Sequence, residues 1–371
     1  MSNNILEPKF MLEVVKNIEI PRAYIGQNYL PMVDVSTEAL TWDVLKDEQN
    51  LGGVYSIDGQ IRPGSEAIFG QMFADVCRIG AARLVSESEW RKLRDPGMAG
   101  IETGMVGDIK AEVTRKVAQK LVDCNREVDA TLEYLRINAL LGYIKWPPEP
   151  ATGKGALGNA VFAVDYRLPD GHKLKATDSS LGGGGYFWTT IASADIVKDL
   201  EAIQVFLADE GGDPTQLDMI MSRHALKLAM QQASFIDIMK YTNPSGLMNF
   251  GAAAQYIETT LGIRPVIYDT QYTYRTVSTT DPSDITINRV RILPTNYVLF
   301  VPRNTKVGDV ATSPAEANGW RTGKFTWLKK EVNPWKTELG EGINAFPRLT
   351  KPESIFVLQI EQDPKGLKAK K

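Results

Sequence analysis

The chain has 371 residues, of which 43% are hydrophobic and 23% charged, a composition typical of a folded globular protein with one large or two average domains. Its net charge of −3 lacks the positive excess of a dedicated nucleic-acid-binding protein. The sequence contains no long apolar run and no N-terminal signal pattern, so it predicts neither a membrane span nor a secretory signal. Two cysteines are too few for a disulfide framework and indicate a reducing compartment.

Residues 1 to about 105 show little periodic structure. The dipeptide Asp58-Gly59 is the strongest hairpin signal in the chain. A disordered tail would carry few aromatic residues, yet five are spread through this part: Trp42, Tyr55, Phe69, Phe73 and Trp90. Because so little local core is predicted, we expect these aromatic side chains to be buried against partner subunits.

A long amphipathic helix is predicted from Asp108 to Lys145, a stretch with no proline and one glycine, Gly142. One face carries apolar or small residues: Ile109, Val113, Val117, Leu121, Cys124, Val128, Leu132, Leu135 and Ala139. The other face is expected to meet solvent and carries Lys110, Glu112, Arg115, Lys116, Lys120, Asp123, Arg126, Glu127 and Glu133. A coiled coil is the alternative, but the apolar spacing of about 3.75 residues favours a single helix across a sheet.

After this helix, strands and helices are mixed. Ala160–Leu168 is predicted to be a strand that turns at Pro169-Asp170-Gly171 and pairs with Lys173–Ala176 as a hairpin. The later predicted helices are Ala194–Ala208, Arg223–Gln232 and Ala252–Leu261. The later predicted strands are Leu217–Ser222, Gly262–Tyr268, Asn296–Val301 and Ser354–Ile360, with a polar surface excursion at 275–288 and a mobile basic tail at Lys365–Lys371.

Candidate catalytic residues are few. The two histidines, His172 and His224, lie far apart and have no metal-binding spacing, so we expect both to be structural. Cys77 and Cys124 belong to no CxxC pair and are expected to be small buried hydrophobic residues. A Cys–His nucleophilic pair is the alternative. The sequence predicts no catalytic, cofactor-binding or metal-binding residue, and no enzymatic activity.

Two glycine-rich stretches superficially suggest phosphate-binding loops. Gly153-Lys154-Gly155 and the run Gly182–Gly185 both lack the GxxxxGK[ST] order. The four-glycine run leads into Tyr186-Phe187-Trp188, an extended aromatic segment and not the start of a helix. A flexible hinge or loop is therefore the better interpretation of the run.

The order of local patterns is similar to that of a known family. The segments that carry the similarity are Thr41-Trp42-Asp43, a hairpin loop at about Gly53–Arg83, Ser86-Glu87-Ser88-Glu89-Trp90, Val164-Asp165-Tyr166, Val266-Ile267-Tyr268-Asp269, Leu293–Leu299, Asn333-Pro334-Trp335 and Lys351–Leu358. In this order they resemble the major capsid proteins of tailed bacteriophages, specifically the lambda-like major capsid protein E family with the HK97 fold. The resemblance covers nearly the whole chain.

The resemblance implies an α+β HK97-like fold in which an axial A-domain is inserted into a peripheral P-domain. The implied parts are an N-terminal arm at 1–45, an E-loop region at 46–100, a P-domain at 101–195 with a spine helix at about 108–146, an A-domain at 196–319, and a return to the P-domain with a C-terminal tail at 320–371.

The resemblance also implies a function. Copies of the chain would self-assemble as hexamers and pentamers into the icosahedral shell of a virion enclosing phage double-stranded DNA, with assembly in the host bacterial cytoplasm. Because no long segment precedes Trp42, a separate scaffolding protein is implied. Other implied partners are a portal protein at one vertex, a decoration protein, and packaged DNA through weak non-specific contact, with no membrane and no cofactor. An encapsulin-like compartment is the alternative, and a stand-alone soluble hydrolase is the candidate from another class.

Overall fold

The structure is a computed structural model, and it describes residues 21, 23–45, 69–86, 106–146, 162–209, 216–242, 250–277, 285–332 and 335–362. Within these residues the helices, numbered in chain order, are α1 (Gly26–Tyr29), α2 (Val106–Leu140), α3 (Ile196–Asp209), α4 (Arg223–Gln231), α5 (Ala233–Thr242) and α6 (Phe250–Leu261). The strands are β1 (Met32–Asp34), β2 (Ala39–Leu45), β3 (Phe69–Asp75), β4 (Cys77–Ser86), β5 (Tyr143–Trp146), β6 (Phe162–Asp165), β7 (Lys173–Lys175), β8 (Leu217–Met221), β9 (Ile263–Ile267), β10 (Gln271–Val277), β11 (Ile285–Arg291), β12 (Tyr297–Pro302), β13 (Gly308–Thr312), β14 (Phe325–Val332), β15 (Trp335–Leu349) and β16 (Phe356–Gln359).

The spine helix α2 lies across a five-stranded sheet of β1, β4, β13, β14 and β15, which we call the spine sheet. Its predicted apolar face is confirmed wherever the side chains are described, since these residues are all buried: Val117, Leu121, Cys124, Val128, Leu132, Leu135 and Ala139. Leu121 packs in one cluster with Val85 of β4 and Leu339 of β15. The helix therefore packs on a sheet of its own chain, as the spacing predicts.

A second five-stranded sheet, the mixed sheet, has the order β7-β16-β12-β8-β9. Strand β8 is buried along its whole length, and this includes Asp218, the one charged residue in its otherwise apolar sequence. Met219 and Met221 pack in the cluster that contains α3, α4 and α6, whereas Ile220 between them packs in the cluster of the spine helix. Because strand side chains alternate, one face of this sheet meets the helices and the other meets the spine helix.

The spine helix ends earlier than the predicted boundary of about 146. It ends at Leu140, and Gly142 has φ +84°, in the left-handed region that favours glycine. Tyr143–Trp146 then form β5, which pairs with β6. The predicted end is wrong because a glycine just past the last helical turn is a stop signal, and Gly142 has this role instead of lying inside the helix.

The predicted charged face is exposed only in part. Glu133, expected to meet solvent, is fully buried. By contrast, Arg115, Arg126 and Glu127 are exposed, as predicted. The helix near Glu133 is covered on that side by the chain at Gly26, and periodicity along one helix carries no information about such a distant segment.

One predicted strand pairing is wrong. The turn at 169–171 is present, with the His172 N–H donating to the Pro169 carbonyl at 3.1 Å, but β6 pairs with β5 and β7 runs parallel to β16. The predicted surface excursion at 275–288 begins in β10 and ends in β11, which pair with each other as a two-stranded antiparallel sheet. Residues 278–284 and the tail Lys365–Lys371 lie outside the described residues, and α5 has no counterpart among the predicted helices.

The aromatic residues of the first hundred residues behave differently from one another. Trp42 is buried within its own chain, where its Nε1 donates to the Leu349 carbonyl at 3.0 Å, so the expectation of burial against a partner is wrong for this residue. Phe73 is 72% exposed on β3, which pairs with β2. The turn Asp58-Gly59 and the side chains of Tyr55, Phe69 and Trp90 lie outside the described residues.

Each of the two five-stranded sheets combines segments from more than one of the predicted parts. Cys77–Ser86, predicted within the E-loop region, pairs with β15 in the spine sheet, and so does Gly308–Thr312 from the predicted A-domain. Phe356–Gln359, from the predicted return segment, is a strand of the mixed sheet, next to Lys173–Lys175. These pairings join segments that are far apart in sequence, so no local pattern predicts them.

The packing of the spine helix on its sheet is testable with Leu121→Ala. Leu121 is completely buried, so we expect the free energy of unfolding to fall by about 2–5 kcal/mol through lost burial and a residual cavity. Arg126→Ala, on the exposed side of the same helix, should change it by less than about 0.5 kcal/mol. Denaturant unfolding of the two variants measures this, and equal losses would contradict the observed orientation of the helix.

Candidate assembly site

The N-terminal segment, residues 23–45, is fixed to the spine helix by one buried carboxylate. Glu133 Oε1 accepts hydrogen bonds from the backbone N–H groups of Ile25 at 2.9 Å and Gly26 at 3.0 Å, where α1 begins. The Tyr268 hydroxyl donates to the same oxygen at 3.1 Å. A carboxylate at the start of a helix satisfies amide groups that have no partner within the helix, so Glu133 holds this segment in place.

The contact between Gly26 and the spine helix is closely packed, and it buries two charged groups at a cost in solvation free energy. Burial raises the pKa of Glu133 and lowers the pKa of Arg136 on the next turn, because both charges lose solvation. Among the described residues, Glu133 Oε2 and Arg136 Nε have no hydrogen-bond partner. A Cβ atom at Gly26 would come within 2.8 Å of both side chains, so only glycine fits at this position.

A second buried carboxylate joins the N-terminal segment to the mixed sheet. Asp218 of β8 accepts from the Tyr29 hydroxyl at 2.7 Å. Its two oxygens also accept from Arg264 at 2.8 and 2.7 Å, and Arg303 donates to it at 3.2 Å. Arg303 in turn pairs with Glu258 of α6 at 3.2 Å. Because two guanidinium groups and one hydroxyl serve a single carboxylate, this is a well-compensated buried charge.

The rest of the N-terminal segment joins the spine sheet. Strand β1 runs parallel to β13, with Val33 opposite Ala311. The Thr312 hydroxyl donates to the Asp34 carboxylate at 2.8 Å. The next strand, β2, pairs with β3 as a two-stranded ribbon, the β2–β3 ribbon, and carries the buried Trp42, whose Nε1 donates to the Leu349 carbonyl of β15. The ribbon is therefore attached to the spine sheet through Trp42, while Phe73 on it faces solvent.

A third polar cluster lies between the spine helix and β15. Lys324 Nζ donates to Asp129 Oδ1 at 2.6 Å and to Asn125, and its distance to Glu341 Oε1 is 3.6 Å. Glu341 is fully buried, and its carboxylate accepts no hydrogen bond from the described residues. Burial raises the pKa of Glu341 to about 7, and Lys324 offsets only part of that effect.

Each of the two histidines and two cysteines considered in the sequence analysis has its own partner or packing environment, and no contact joins them among the described residues. His172 is buried with its Nδ1 at 2.9 Å from the Ile355 carbonyl, and His224 lies 3.3 Å from Glu361. Cys124 is fully buried, as expected, whereas Cys77 is half-buried with its Sγ at 3.2 Å from the Ala345 carbonyl. Burial raises the pKa of Cys77 to about 11 and that of Cys124 to about 12, which keeps both thiols protonated at neutral pH.

The four-glycine run forms a loop that is fixed by a buried side chain. Asp199 of α3 accepts from the Gly183 N–H at 3.0 Å and from Trp188 Nε1 at 2.9 Å. A Cβ atom at Gly183 would lie 2.0 Å from the Asp199 carboxylate, which explains the glycine there. Burial raises the pKa of Asp199 to about 6. The run thus wraps around a carboxylate, an arrangement that does not suit a phosphate.

A shallow basic pocket of about 540 Å³ has no counterpart in the sequence predictions; its lining residues are Arg223, His224, Lys227, Phe250, Asp269 and Arg291. The Arg223 guanidinium stands 5.7 Å over the Phe250 ring. Asp269 pairs with Arg291 at 3.3 Å and accepts from the Arg223 N–H at 3.3 Å. The Asp269 carboxylate therefore offsets part of the positive charge of the pocket.

Neither a metal site nor a membrane-spanning helix is found in the part of the chain that the structure describes. In this part, no group of three or more histidine, cysteine, aspartate or glutamate side chains is arranged to hold a metal ion. The described helices also include none that is long and apolar enough to cross a membrane.

Tyr29→Phe tests the link between the N-terminal segment and the mixed sheet. Removing the hydroxyl leaves Asp218 with its two arginines but one donor fewer, so we expect the free energy of unfolding to fall by about 1–2 kcal/mol. Tyr143→Phe, which removes the hydroxyl of a largely exposed tyrosine, should change it by less than about 0.5 kcal/mol. A Tyr29→Phe variant as stable as the parent in urea unfolding would mean that this bond does not hold the segment.

Glu341 predicts a pH dependence of stability. Its folded-state pKa of about 7 lies above its ordinary value of 4.5, so the folded state binds this proton more tightly than the unfolded state does. The free energy of unfolding should therefore fall as pH rises from about 4.5 to 7, by at most roughly 3 kcal/mol from this group. Glu341→Gln should remove this part of the slope, and Glu201→Gln, exposed on α3, should leave it unchanged. Unfolding curves at pH 5, 6, 7 and 8 give the free energy of unfolding of each variant. If this free energy depends on pH in the same way for Glu341→Gln and the parent, Glu341 is not the source of the slope.

Comparison with known proteins bears directly on this architecture. A family model described as phage major capsid protein E matches residues 9–322. No curated protein matches the chain. Among solved structures, a protein described as a prophage capsid protein from E. coli CFT073 is 14% identical with a TM-score of 0.59, over 96% of this chain and 99% of that one. A phage-related protein from Bordetella bronchiseptica RB50 is also 14% identical, with a TM-score of 0.53 over 96% of this chain and 98% of that one.

At this level of identity the two structures show a shared fold, and the family model shows the family. The predicted resemblance and the predicted α+β HK97-like fold are both confirmed. The chain belongs to the phage major capsid protein E family, and it is a shell-forming capsid protein.

Proposed function

We propose that copies of this chain assemble as hexamers and pentamers into an icosahedral shell that encloses phage double-stranded DNA. The observation that carries the proposal is the family match over residues 9–322. The geometry supports it, because Trp42 of the β2–β3 ribbon is hydrogen-bonded to Leu349 of the spine sheet while Phe73 on the same ribbon is exposed to solvent. Exposed aromatic side chains on rigid supports are typical of protein interfaces.

We propose a division into domains that follows the two sheets. The P-domain would comprise the spine helix and the spine sheet, including Gly308–Thr312. The A-domain would comprise the mixed sheet with α3–α6, including Lys173–Lys175 and Phe356–Gln359. The N-terminal arm would lead into residues 23–45, and the E-loop would extend from the β2–β3 ribbon. The A-domain would lie near the axis of each ring.

We further propose the partners that the resemblance implies: a separate scaffolding protein during assembly in the host cytoplasm, a portal protein at one vertex, and a decoration protein. Contact with packaged DNA would be weak and non-specific, since a net charge of −3 gives little attraction to phosphates. The role would be structural and not enzymatic. This is supported by His172 and Cys124, which are both buried, with His172 bonded to a backbone carbonyl.

Electron microscopy and light scattering of the purified chain test the proposal. We expect closed particles with fivefold and sixfold rings, and nuclease-protected DNA in particles recovered from phage lysates. Shells that carry an enzyme and no DNA would favour the encapsulin-like alternative. A stable monomer or dimer with hydrolytic turnover would favour the hydrolase and contradict the proposal.

A further inference from the structure

The turn between β13 and β14 presents a tryptophan to solvent. Trp320 is 70% exposed, and only Phe73 is more exposed among the large hydrophobic residues that the structure describes. The turn is closed by a bridge between Ala315 and Arg321. A Cβ atom added at Gly319 or at Gly323, on either side of Trp320, would have no atom within 4 Å other than those of its own chain neighbours, so the turn is open to solvent.

Trp320 also has an unfavourable backbone conformation. Its φ is +61°, and Gly319 before it has φ +62°. The left-handed region suits glycine or asparagine, and a bulky side chain there is strained. Gly319 follows this rule, whereas Trp320 does not. A glycine at position 320 would make this turn with less strain.

The strain is built into an ordered turn. The Trp320 N–H donates to the Ala315 carbonyl at 3.0 Å, and the Gly319 N–H donates to the Glu316 carbonyl at 2.9 Å. The Asn318 side chain donates to the carbonyl groups of Arg321 at 3.3 Å and of Thr322 at 3.2 Å. These bonds fix the backbone from which the indole projects, so the turn does not need to be ordered when the indole binds. An aromatic anchor on an ordered backbone loses less conformational entropy on binding than one on a flexible loop.

We propose that Trp320 is an anchor for a second copy of this chain in the assembled shell. The proposal rests on the shell assembly proposed above. Within the described chain the indole is mostly exposed, so little burial offsets the backbone strain; burial against a neighbouring copy would offset it. The charged residues beside it, Glu316 and Arg321, are exposed and of opposite sign. Mixed charge around an aromatic centre suits a protein partner and does not suit the phosphates of DNA.

The test compares Trp320→Gly with Trp320→Phe in the full-length chain. Trp320→Gly relieves the strain and removes the anchor, so its unassembled subunits should melt no lower than the parent while particle yield falls at least about tenfold. Trp320→Phe should restore part of the yield. Asn304→Gly is the matched control: Asn304 is exposed with φ +58° and has no aromatic ring, and its replacement should leave assembly unchanged.

A second measurement follows Trp320 itself. The emission of the parent minus that of Trp320→Phe isolates this indole from the other six tryptophans of the chain. Acrylamide should quench it in free subunits and be excluded in particles. Quenching that persists in particles would overturn the proposal and leave the indole for a different partner, such as a decoration protein.

The remaining outcomes separate the two proposals. Trp320→Gly particles at the parental yield, or a lower melting temperature of its free subunits, would overturn the anchor role and leave shell assembly standing. Absence of particles from the parent chain would contradict shell assembly itself, and the anchor proposal would fall with it.

Discussion

The position of the N-terminal segment depends on two buried carboxylates, and both sheets meet at that segment. Glu133 binds the start of α1 from the spine helix, and Asp218 binds Tyr29 from the mixed sheet. Removing a carboxylate from water is expensive, so each is retained only with several donors around it. Asp218 has three such partners, whereas one oxygen of Glu133 has none among the described residues. The junction is therefore specific in geometry and only moderately favourable in energy.

Hydrogen bonds to buried carboxylates fix the register of the N-terminal segment, which apolar contacts alone would leave variable. Two apolar surfaces can slide by a residue at small cost, but a slide here would separate Gly26 from Glu133 and leave a buried charge without donors. The same register places β1 beside β13 and Trp42 against Leu349. Because side chains alternate along a strand, the register of β1 and β2 also decides which residues of the β2–β3 ribbon face outward. The exposure of Phe73 thus follows from contacts made by β1 and β2.

The sequence predicts the features that depend on local pattern. The apolar face of the spine helix, the fully buried strand at Leu217–Met221 and the helix at Ile196–Asp209 all lie close to their predicted places. The misses have two causes. Gly142 is a stop signal visible in the sequence, but the apolar periodicity around it favours a longer helix. The burial of Glu133 and the pairing of β7 with β16 depend on contacts between residues that are more than a hundred positions apart in the sequence. Local periodicity therefore predicts neither of them. The strain at Trp320 has no sequence signal beyond a preceding glycine.

Buried charge at the N-terminal junction and exposed aromatic side chains on the ribbon and the turn are each costly for the isolated chain. Glu133 and Asp218 lie where the N-terminal segment meets the spine helix and the mixed sheet. Phe73 and Trp320 lie on a ribbon and a turn that leave the spine sheet. Proteins depart from the rules of local stability chiefly where function requires it. A shell subunit needs a junction that sets directions accurately and outer contacts that each contribute modestly, because many copies must adjust before the shell closes. A chain with apolar contacts at this junction and polar side chains on the ribbon and the turn would also fold. The orientation of its ribbon would be less well defined, and its contacts with neighbouring copies would be weaker.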